Sequence, residues 1–172
     1  RTDFDLKQHE EHSGKKLQYF DPEINESYVP YVVETSIGLD RMFLAILSKS
    51  LKEEELENGS SRVVLSITPP LAPTKAAILP LVKKDGLDEK AKEIYDMLKL
   101  DFQCLYEEKD SIGKRYRRND AIGTPFCITV DHDTLKDEMV TVRERDSMKQ
   151  ERVAINELPS LIDQKVNIKN LF

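Results

Sequence analysis

The apolar positions change period along the chain, and these changes predict an alternation of strands and helices. Residues 31–36 are rich in β-branched side chains, whereas residues 39–51 are almost continuously apolar over a helical length. Between residues 88 and 100 the apolar positions recur three and four apart, as on the buried face of an amphipathic helix. The predicted strands are residues 31–36, 62–67, 76–82, 102–106, 125–130, 139–145 and 150–155. The predicted helices are residues 39–51 and 88–100, with two more that begin after Ser111 and after Asn156.

Residues 62–172 therefore alternate between strand and helix patterns, and residues 139–155 contain two strand patterns that predict a hairpin. This alternation is typical of an α/β domain, here a mixed sheet of about five strands flanked by helices. Before it, an acidic run leads into Asn-Gly-Ser-Ser without apolar periodicity. We interpret residues 52–61 as a linker between this domain and the strand and helix at residues 31–51.

Composition and charge restrict the classes of function. The chain has 172 residues, of which 39% are hydrophobic, enough for one ordinary core with a smaller attached piece. The formal net charge of -6 argues against indiscriminate binding to nucleic acid or to anionic membranes. No apolar run is long enough to cross a bilayer, and the first residues do not resemble a secretory signal. We therefore expect a cytoplasmic protein without a membrane partner.

The cysteines and histidines do not form a metal-ligand pattern. Cys104 and Cys127 each lie in an apolar strand pattern, which favours two buried, reduced thiols over a disulfide or a reactive site. His9, His12 and His132 lack a ligand spacing relative to these cysteines, so we predict no metal site.

One segment is basic although the chain is acidic. Residues 109–122 carry five cationic and two anionic side chains. On a helix that begins after Ser111, Ile112 and Tyr116 fall four apart and can face the sheet. This arrangement places four cations near the exposed side, namely Lys114, Arg115, Arg117 and Arg118. Such a surface is either a solvated helix face or a local patch for a polyanion.

A second segment has polar residues where a core strand should be apolar. If residues 31–36 form a strand, alternation places Glu34, Ser36 and Gly38 on one face. A structural ion pair is one explanation for Glu34, and a binding site is the other. The segment has the form E-x-S-x-G-x-x-R, with Arg41 one turn into the following helix. A helix start offers free N–H groups, which suit phosphate.

Residues 31–41 resemble the third signature motif of class II aminoacyl-tRNA synthetases, and the E-x-S form is similar to that of glycyl-tRNA synthetases. The first six residues together with His9 resemble the segment that precedes this motif in the same family. Residues 72–75, 111–116 with 120–126, and 142–150 resemble, in the same order and spacing, the C-terminal anticodon-binding domain of that family.

The resemblance implies the C-terminal part of a bacterial-type glycyl-tRNA synthetase. Residues 1–51 are then a remnant of the catalytic domain, residues 52–61 a linker and residues 62–172 the anticodon-binding domain. The family activates glycine with ATP, with which Mg²⁺ is expected, and transfers it to glycine tRNA, and its members are expected to be homodimers. Two earlier signature motifs are missing from these residues, so we expect no catalysis from them alone.

The resemblance also implies roles for individual residues. Glycine binding is expected at Glu34, Thr35, Ser36, Ile37 and Gly38. ATP binding is expected at Gly38, Leu39, Asp40 and Arg41. Contacts with the tRNA anticodon stem-loop are expected at Lys114, Arg115, Arg117, Arg118, Arg143, Arg145, Asp146 and Gln150.

Two other interpretations stay open. One is a noncatalytic RNA-binding module with an anticodon-domain fold, although the intact E-x-S-x-G-x-x-R segment argues against it. The other is a protein-interaction module that uses the acidic and basic segments as a charged surface. Such a module predicts salt-sensitive binding to a protein, without preference for an anticodon.

Overall fold

The computed structural model describes residues 2–56 and 59–171. The chain separates into two compact units, residues 1–42 and residues 43–172. In the first unit, helix α1 spans Phe4–Ser13 and ends at Gly14, whose positive φ of 66° suits a glycine. Strands β1 (Tyr19–Asp21) and β2 (Glu26–Tyr28) follow as an antiparallel pair. Helix α2, Leu39–Ser50, begins in this unit and confirms the helix predicted at residues 39–51.

The strand predicted at residues 31–36 is wrong. Residues 29–38 contain neither helix nor strand, and the side chain of Val33 is 93% exposed. The backbone N–H of Val32 donates to the carbonyl of Thr2 at 3.2 Å, but no described strand pairs with this segment. A strand needs a neighbouring strand to satisfy its backbone groups, whatever the propensity of its residues.

The acidic half of the segment interpreted as a linker, residues 52–61, forms a strand. Strand β3 (Leu51–Glu55) pairs antiparallel with β4 (Ser61–Leu65). Glu54 lies opposite Arg62 in this register, and their side chains form an ion pair of 2.7 Å. Glu54 therefore has a cross-strand partner of opposite charge, which a reading of local composition cannot detect.

The predicted five-stranded mixed sheet is confirmed. Its order is β6-β5-β7-β8-β9, with β5 parallel to both β6 and β7, and with β7, β8 and β9 antiparallel in succession. The strands are β5 (Ala76–Pro80), β6 (Cys104–Tyr106), β7 (Phe126–Val130), β8 (Met139–Glu144) and β9 (Gln150–Ala154). The last two form the predicted hairpin.

Four helices belong to this sheet: α3 (Leu87–Leu98), α4 (Ile112–Ile122), α5 (Thr134–Asp137) and α6 (Leu158–Val166). Single 3-10 turns cover Pro69–Leu71, Ile155–Glu157 and Ile168–Leu171. Pro159 lies in the first turn of α6, as predicted, but the N-cap is Glu157 and not Asn156. Asn156 is instead part of the preceding 3-10 turn, which carries the chain directly into the helix.

Two apolar layers cover the sheet. On one face, α3 and α6 bury Ile94, Leu98 and Ile162 against strand residues that include Ile128. On the other face, α4 places Ile112 and Tyr116 on a smaller cluster of Ala77, Leu79 and Cys127. Burial of such side chains stabilises the fold by about 1.5–3 kcal/mol each.

Both cysteines are free, Cys127 buried and Cys104 half-buried. Across the described ranges, no helix combines the length and the apolar character that a membrane crossing requires.

Candidate functional site

Helix α4 carries the basic segment and lies on one face of the sheet. Ser111 is its N-cap residue, as predicted, although its side chain makes no capping hydrogen bond. Ile112 and Tyr116 face the sheet as the four-residue spacing predicts. The Tyr116 hydroxyl and the Thr129 hydroxyl of β7 share a hydrogen bond of 2.6 Å, which fixes the helix against the strand.

Arg115 is buried, which contradicts its predicted position on the exposed side of α4. Its side chain is 1% exposed and donates to the carbonyls of Pro80, Glu107 and Leu81 at 2.7, 3.1 and 3.2 Å. Burial lowers the pKa of the Arg115 guanidinium. Arg115 therefore joins the end of β5 to the loop after β6, where backbone carbonyls need a donor.

The other three cations of α4 are exposed, but they differ in their partners. Arg118 donates to Glu107 and Asp110 at 2.7 Å each, and Arg117 donates to the carbonyl of Ser61. Lys114 forms no ion pair or side-chain hydrogen bond with any residue that the structure describes. Among the described residues, Lys114 is thus the exposed α4 cation whose ammonium group has no hydrogen-bond partner.

The β8–β9 hairpin continues this face of the sheet. Arg143 of β8 lies opposite Gln150 of β9, and Thr141 lies opposite Arg152. Gln150 and Arg152 are exposed, so no described element covers this part of the face. Gln150, a predicted tRNA contact, therefore shares this exposed face with Arg152, which was not among the predicted site residues.

Arg143, a predicted RNA contact, is buried, and its guanidinium is engaged by residues of this chain. Its guanidinium donates to both carboxylate oxygens of Asp120, at 2.8 and 3.0 Å. The guanidinium carbon also lies 4.8 Å from the centre of the Tyr116 ring, in a cation–π arrangement. Burial lowers the pKa of Arg143, but the hydrogen bonds that it donates to Asp120 raise this pKa above its usual value.

Arg145 does not share a strand face with Arg143, because it lies in the turn after β8 and is 1% exposed. Its guanidinium donates to the carbonyls of Gly123 and Ile67 at 2.7 and 2.8 Å. It also pairs with Asp146 at 2.7 Å. Burial raises the pKa of Asp146, but its bond with Arg145 leaves that pKa below the usual value. The Asp146 carboxylate remains half exposed beside this buried arginine.

Arg62 of β4 connects these arginines to the β3–β4 hairpin. It donates to Asp120 at 3.0 Å, to the carbonyl of Arg145 at 2.9 Å and to Glu54 at 2.7 Å. The carboxylate of Asp120 thus forms ion pairs with both Arg62 and Arg143. Sequence reasoning missed this network, because its members lie far apart along the chain and no local pattern links them.

Arg152 and two carboxylates form a second charged group, on the exposed face of the sheet. Its guanidinium donates to Asp131 at 2.8 Å and to both oxygens of Asp137, at 2.9 and 2.8 Å. The hydrogen bonds that Arg152 donates lower the pKa of Asp137. Burial raises the pKa of Asp131, but hydrogen bonds from Thr134 and Arg152 leave it below its usual value. Arg152 could have been found from the sequence, because it lies two residues after Gln150 and alternation along a strand places both on one face.

The E-x-S-x-G-x-x-R segment lies in the first unit. Its residues from Glu34 to Asp40 are exposed, and α2 begins at Leu39, as the helix pattern predicts. The Arg41 side chain passes over Gly38, with its Cδ 3.7 Å from the position that a Cβ would occupy. The described residues contain no cluster of three or more His, Cys, Asp or Glu that could hold a metal ion.

Comparison with known proteins identifies the family. A family model described as "Anticodon binding domain" matches residues 75–165, which is more than half of the chain. The chain belongs to this family.

Curated relatives carry the name glycine–tRNA ligase. The chain is 59% identical to that of Clostridium tetani over 145 residues, which is 84% of this chain and 31% of the relative. It is 54% identical to that of Chlorobaculum tepidum over the same number of residues, again 84% of this chain and 31% of the relative. The resemblance to glycyl-tRNA synthetases is confirmed, and the chain spans about a third of the length of these relatives.

A solved structure shows the same fold. The prolyl-tRNA synthetase of Cryptosporidium parvum superimposes with a TM-score of 0.54 at 18% identity, over 69% of this chain and 32% of that one.

Proposed function

We propose that the chain is the C-terminal part of a glycine–tRNA ligase and that its second unit binds the anticodon stem-loop of glycine tRNA. The observation that carries this proposal is the anticodon-binding family match over residues 75–165. That match contains both the basic helix α4 and the uncovered face of the β8–β9 hairpin. A cationic helix beside an open polar sheet face suits RNA whose bases are not paired.

The residues of this surface divide into two roles. Lys114, Arg117 and Arg118 are exposed and suited to the phosphates, which position the RNA. Asp146 and Gln150 are exposed polar side chains suited to base edges, which specify it. The buried arginines Arg115, Arg143 and Arg145 shape the surface through carbonyls and carboxylates of this chain, and we propose no direct RNA contact for them.

In the whole protein, the first unit contributes to the site for glycine and ATP. Glu34 supplies a carboxylate for the ammonium group of glycine, with Thr35, Ser36, Ile37 and Gly38 beside it along the chain. Leu39, Asp40 and Arg41 form the start of α2, whose free N–H groups and arginine fit a phosphate. ATP, when bound, would supply the adenylyl group that activates the glycine carboxylate, with pyrophosphate as the leaving group. Mg²⁺ is then held by the ATP phosphates, as is usual for this ion.

We further propose that the whole protein is a cytoplasmic homodimer, as its membership in this enzyme class implies. The protein-interaction interpretation is less well supported, since the charges of the acidic β3 strand and of Arg118 are partly neutralised within this chain. It remains an outcome of the binding experiment below.

Binding to whole tRNA tests the proposal. The dissociation constant is measured for a glycine tRNA transcript and for a transcript that differs only in its anticodon bases, at one near-physiological salt concentration. We expect a preference of about tenfold, or 1.4 kcal/mol, for the glycine anticodon. Equal binding to both transcripts would contradict anticodon recognition by this chain.

The Lys114→Ala variant serves as an internal control for this measurement. Loss of a phosphate contact weakens binding to both transcripts by the same factor and reduces the slope of log K against log salt by about one. The preference itself should therefore survive in Lys114→Ala.

A further inference from the structure

Arg152, Asp131 and Asp137 form a group on the surface to which no role has yet been assigned. The two carboxylates hold the guanidinium from two sides, through three hydrogen bonds of 2.8 to 2.9 Å. The side chains remain accessible, with 32% of Arg152 and 43% of Asp137 exposed. An arginine that is fixed in this way keeps its planar donors in one orientation, at a lower entropic cost on binding than a free side chain.

The group lies at the edge of the sheet where open α/β sheets bind ligands. Strands β5, β6 and β7 are parallel, so their carboxyl ends meet at one edge. Asp131 directly follows β7, and α5, which ends at Asp137, lies between β7 and β8 at that edge. In the strand register, Arg152 of β9 lies opposite Thr141 of β8, and Thr141 lies opposite Thr129, near the end of β7. Ligands in such folds bind outside the carboxyl ends of the strands, where the connections diverge.

The chemistry of the group matches one base. The Watson–Crick edge of cytosine presents two acceptors, O2 and N3, next to the N4 amino donor. An arginine can donate to the acceptors while a carboxylate accepts from the amino group, which is the pairing preferred between acidic side chains and cytosine. Uracil carries an acceptor, O4, in place of the amino group, and a carboxylate repels it. The glycine codons begin with two guanines, so a glycine tRNA carries two cytosines as its second and third anticodon bases.

We propose that Arg152 and Asp137, held in place with the help of Asp131, read one of the two anticodon cytosines and reject uracil at that position. This inference rests on the proposed function, because it assumes that the anticodon loop lies on this face. Arg152 supplies the donors and Asp137 the acceptor. Asp131 acts as a positioning residue, since its Oδ1 also accepts from the Thr134 backbone and hydroxyl.

The test uses three transcripts of glycine tRNA: the natural one and two with a single cytosine-to-uracil change at the second or third anticodon base. Dissociation constants are measured for the unaltered chain and for Asp137→Asn. An asparagine amide can turn to donate to the uracil O4, so discrimination at one of the two positions should fall about tenfold. Affinity for the natural transcript should change much less than this ratio.

Asp133→Asn is the matched control. Asp133 is an exposed carboxylate of the same connection that pairs with Lys136, and its substitution changes the charge equally. It should leave discrimination at both positions unchanged. Arg152→Lys keeps the positive charge but loses the planar donor fork, and should reduce discrimination at the same position as Asp137→Asn.

The outcomes separate the two proposals. If the unaltered chain does not distinguish the three transcripts, anticodon recognition itself is contradicted. If it prefers cytosine but Asp137→Asn retains the full discrimination, the assignment to this group is overturned. The assignment is equally overturned if Asp133→Asn loses as much discrimination as Asp137→Asn, since a general charge effect then explains both. Thermal denaturation of each variant shows that the compared proteins are folded.

Discussion

At the scale of residues, Asp120 holds together side chains from two different sheets. Its side chain is 2% exposed and accepts from Arg62 of β4 at 3.0 Å and from Arg143 of β8 at 2.8 Å. The carboxylate therefore offsets the charge of two buried guanidinium groups. When such a group loses its charge, its partners are left buried and uncompensated, which costs more than the intact pair contributes.

We therefore predict that Asp120→Asn strongly destabilises the second unit. The expected loss is about 3–5 kcal/mol in the free energy of unfolding, as for other buried pairs that lose one partner. Chemical denaturation measures it as a shift of the midpoint. As a control, Asp96→Asn removes an exposed carboxylate beside Lys99 and should hardly move the midpoint. A small effect of Asp120→Asn would contradict the central role of this carboxylate.

The two thiols give a prediction about pH. Burial raises the pKa of Cys127 to about 12 and that of Cys104 to about 11. The thiols ionise near pH 8.5 in the unfolded chain, so any stability that they contribute is present below that pH and is lost as the pH rises. In Cys104→Ala at about pH 8, a thiol reagent should label Cys127 far more slowly in the native than in the denatured protein. Equal rates would show that Cys127 is accessible.

The positions of individual arginines could be predicted only in part. The sequence identifies the basic segment, and helical spacing correctly turns Ile112 and Tyr116 towards the sheet. It does not distinguish Arg115, which is buried, from Lys114, which is exposed. The difference arises from backbone carbonyls at the end of β5 that need a donor, and these become neighbours of α4 only in the tertiary structure.

At the scale of elements, the end of α4 depends on Gly123. Its φ of 85° is in the left-handed region, and its N–H caps the carbonyls of Asn119 and Asp120. A Cβ at this position would lie 3.1 Å from the Leu65 carbonyl oxygen and 3.0 Å from the Ile67 side chain. Gly123 thus permits the close approach of α4 to the end of β4 and to the segment that follows it.

We predict opposite effects for two glycine substitutions at the ends of α4. Gly123→Ala should destabilise the protein by about 1–2 kcal/mol from the left-handed backbone alone, with more from the contacts to Leu65 and Ile67. Gly113→Ala lies in the first turn of the helix, in open space, and should stabilise it by up to about 1 kcal/mol. Thermal denaturation compares the two, and a shift of the same sign in both would contradict this account of the helix end.

Elements with a strong internal period could be predicted, and those that depend on a distant partner could not. The pattern at residues 88–100 correctly predicts α3, and the alternation at residues 139–155 correctly predicts the β8–β9 hairpin. Residues 31–36 have strand propensity but no described strand beside them. Residues 52–55 lie in the segment interpreted as a linker, but they pair with β4 as part of a strand.

At the scale of the whole molecule, the β3–β4 hairpin lies in the second unit, where Arg62 anchors it by buried polar contacts. Arg62 joins the hairpin to Asp120 and to the turn after β8, and Ser66 donates to Asp146 at 3.0 Å. The surface proposed for the anticodon thus rests on a framework that includes residues before the family match, which begins at residue 75. The chain that should recognise the anticodon is therefore longer than the matched segment.

The measurement that tests the central claim most directly is binding of this chain to an isolated anticodon stem-loop of glycine tRNA, at near-physiological salt. The account predicts that the stem-loop binds, and that changing its second and third anticodon bases weakens binding by about tenfold or more. Binding to whole tRNA without binding to the stem-loop, or equal binding to both stem-loops, would contradict the account.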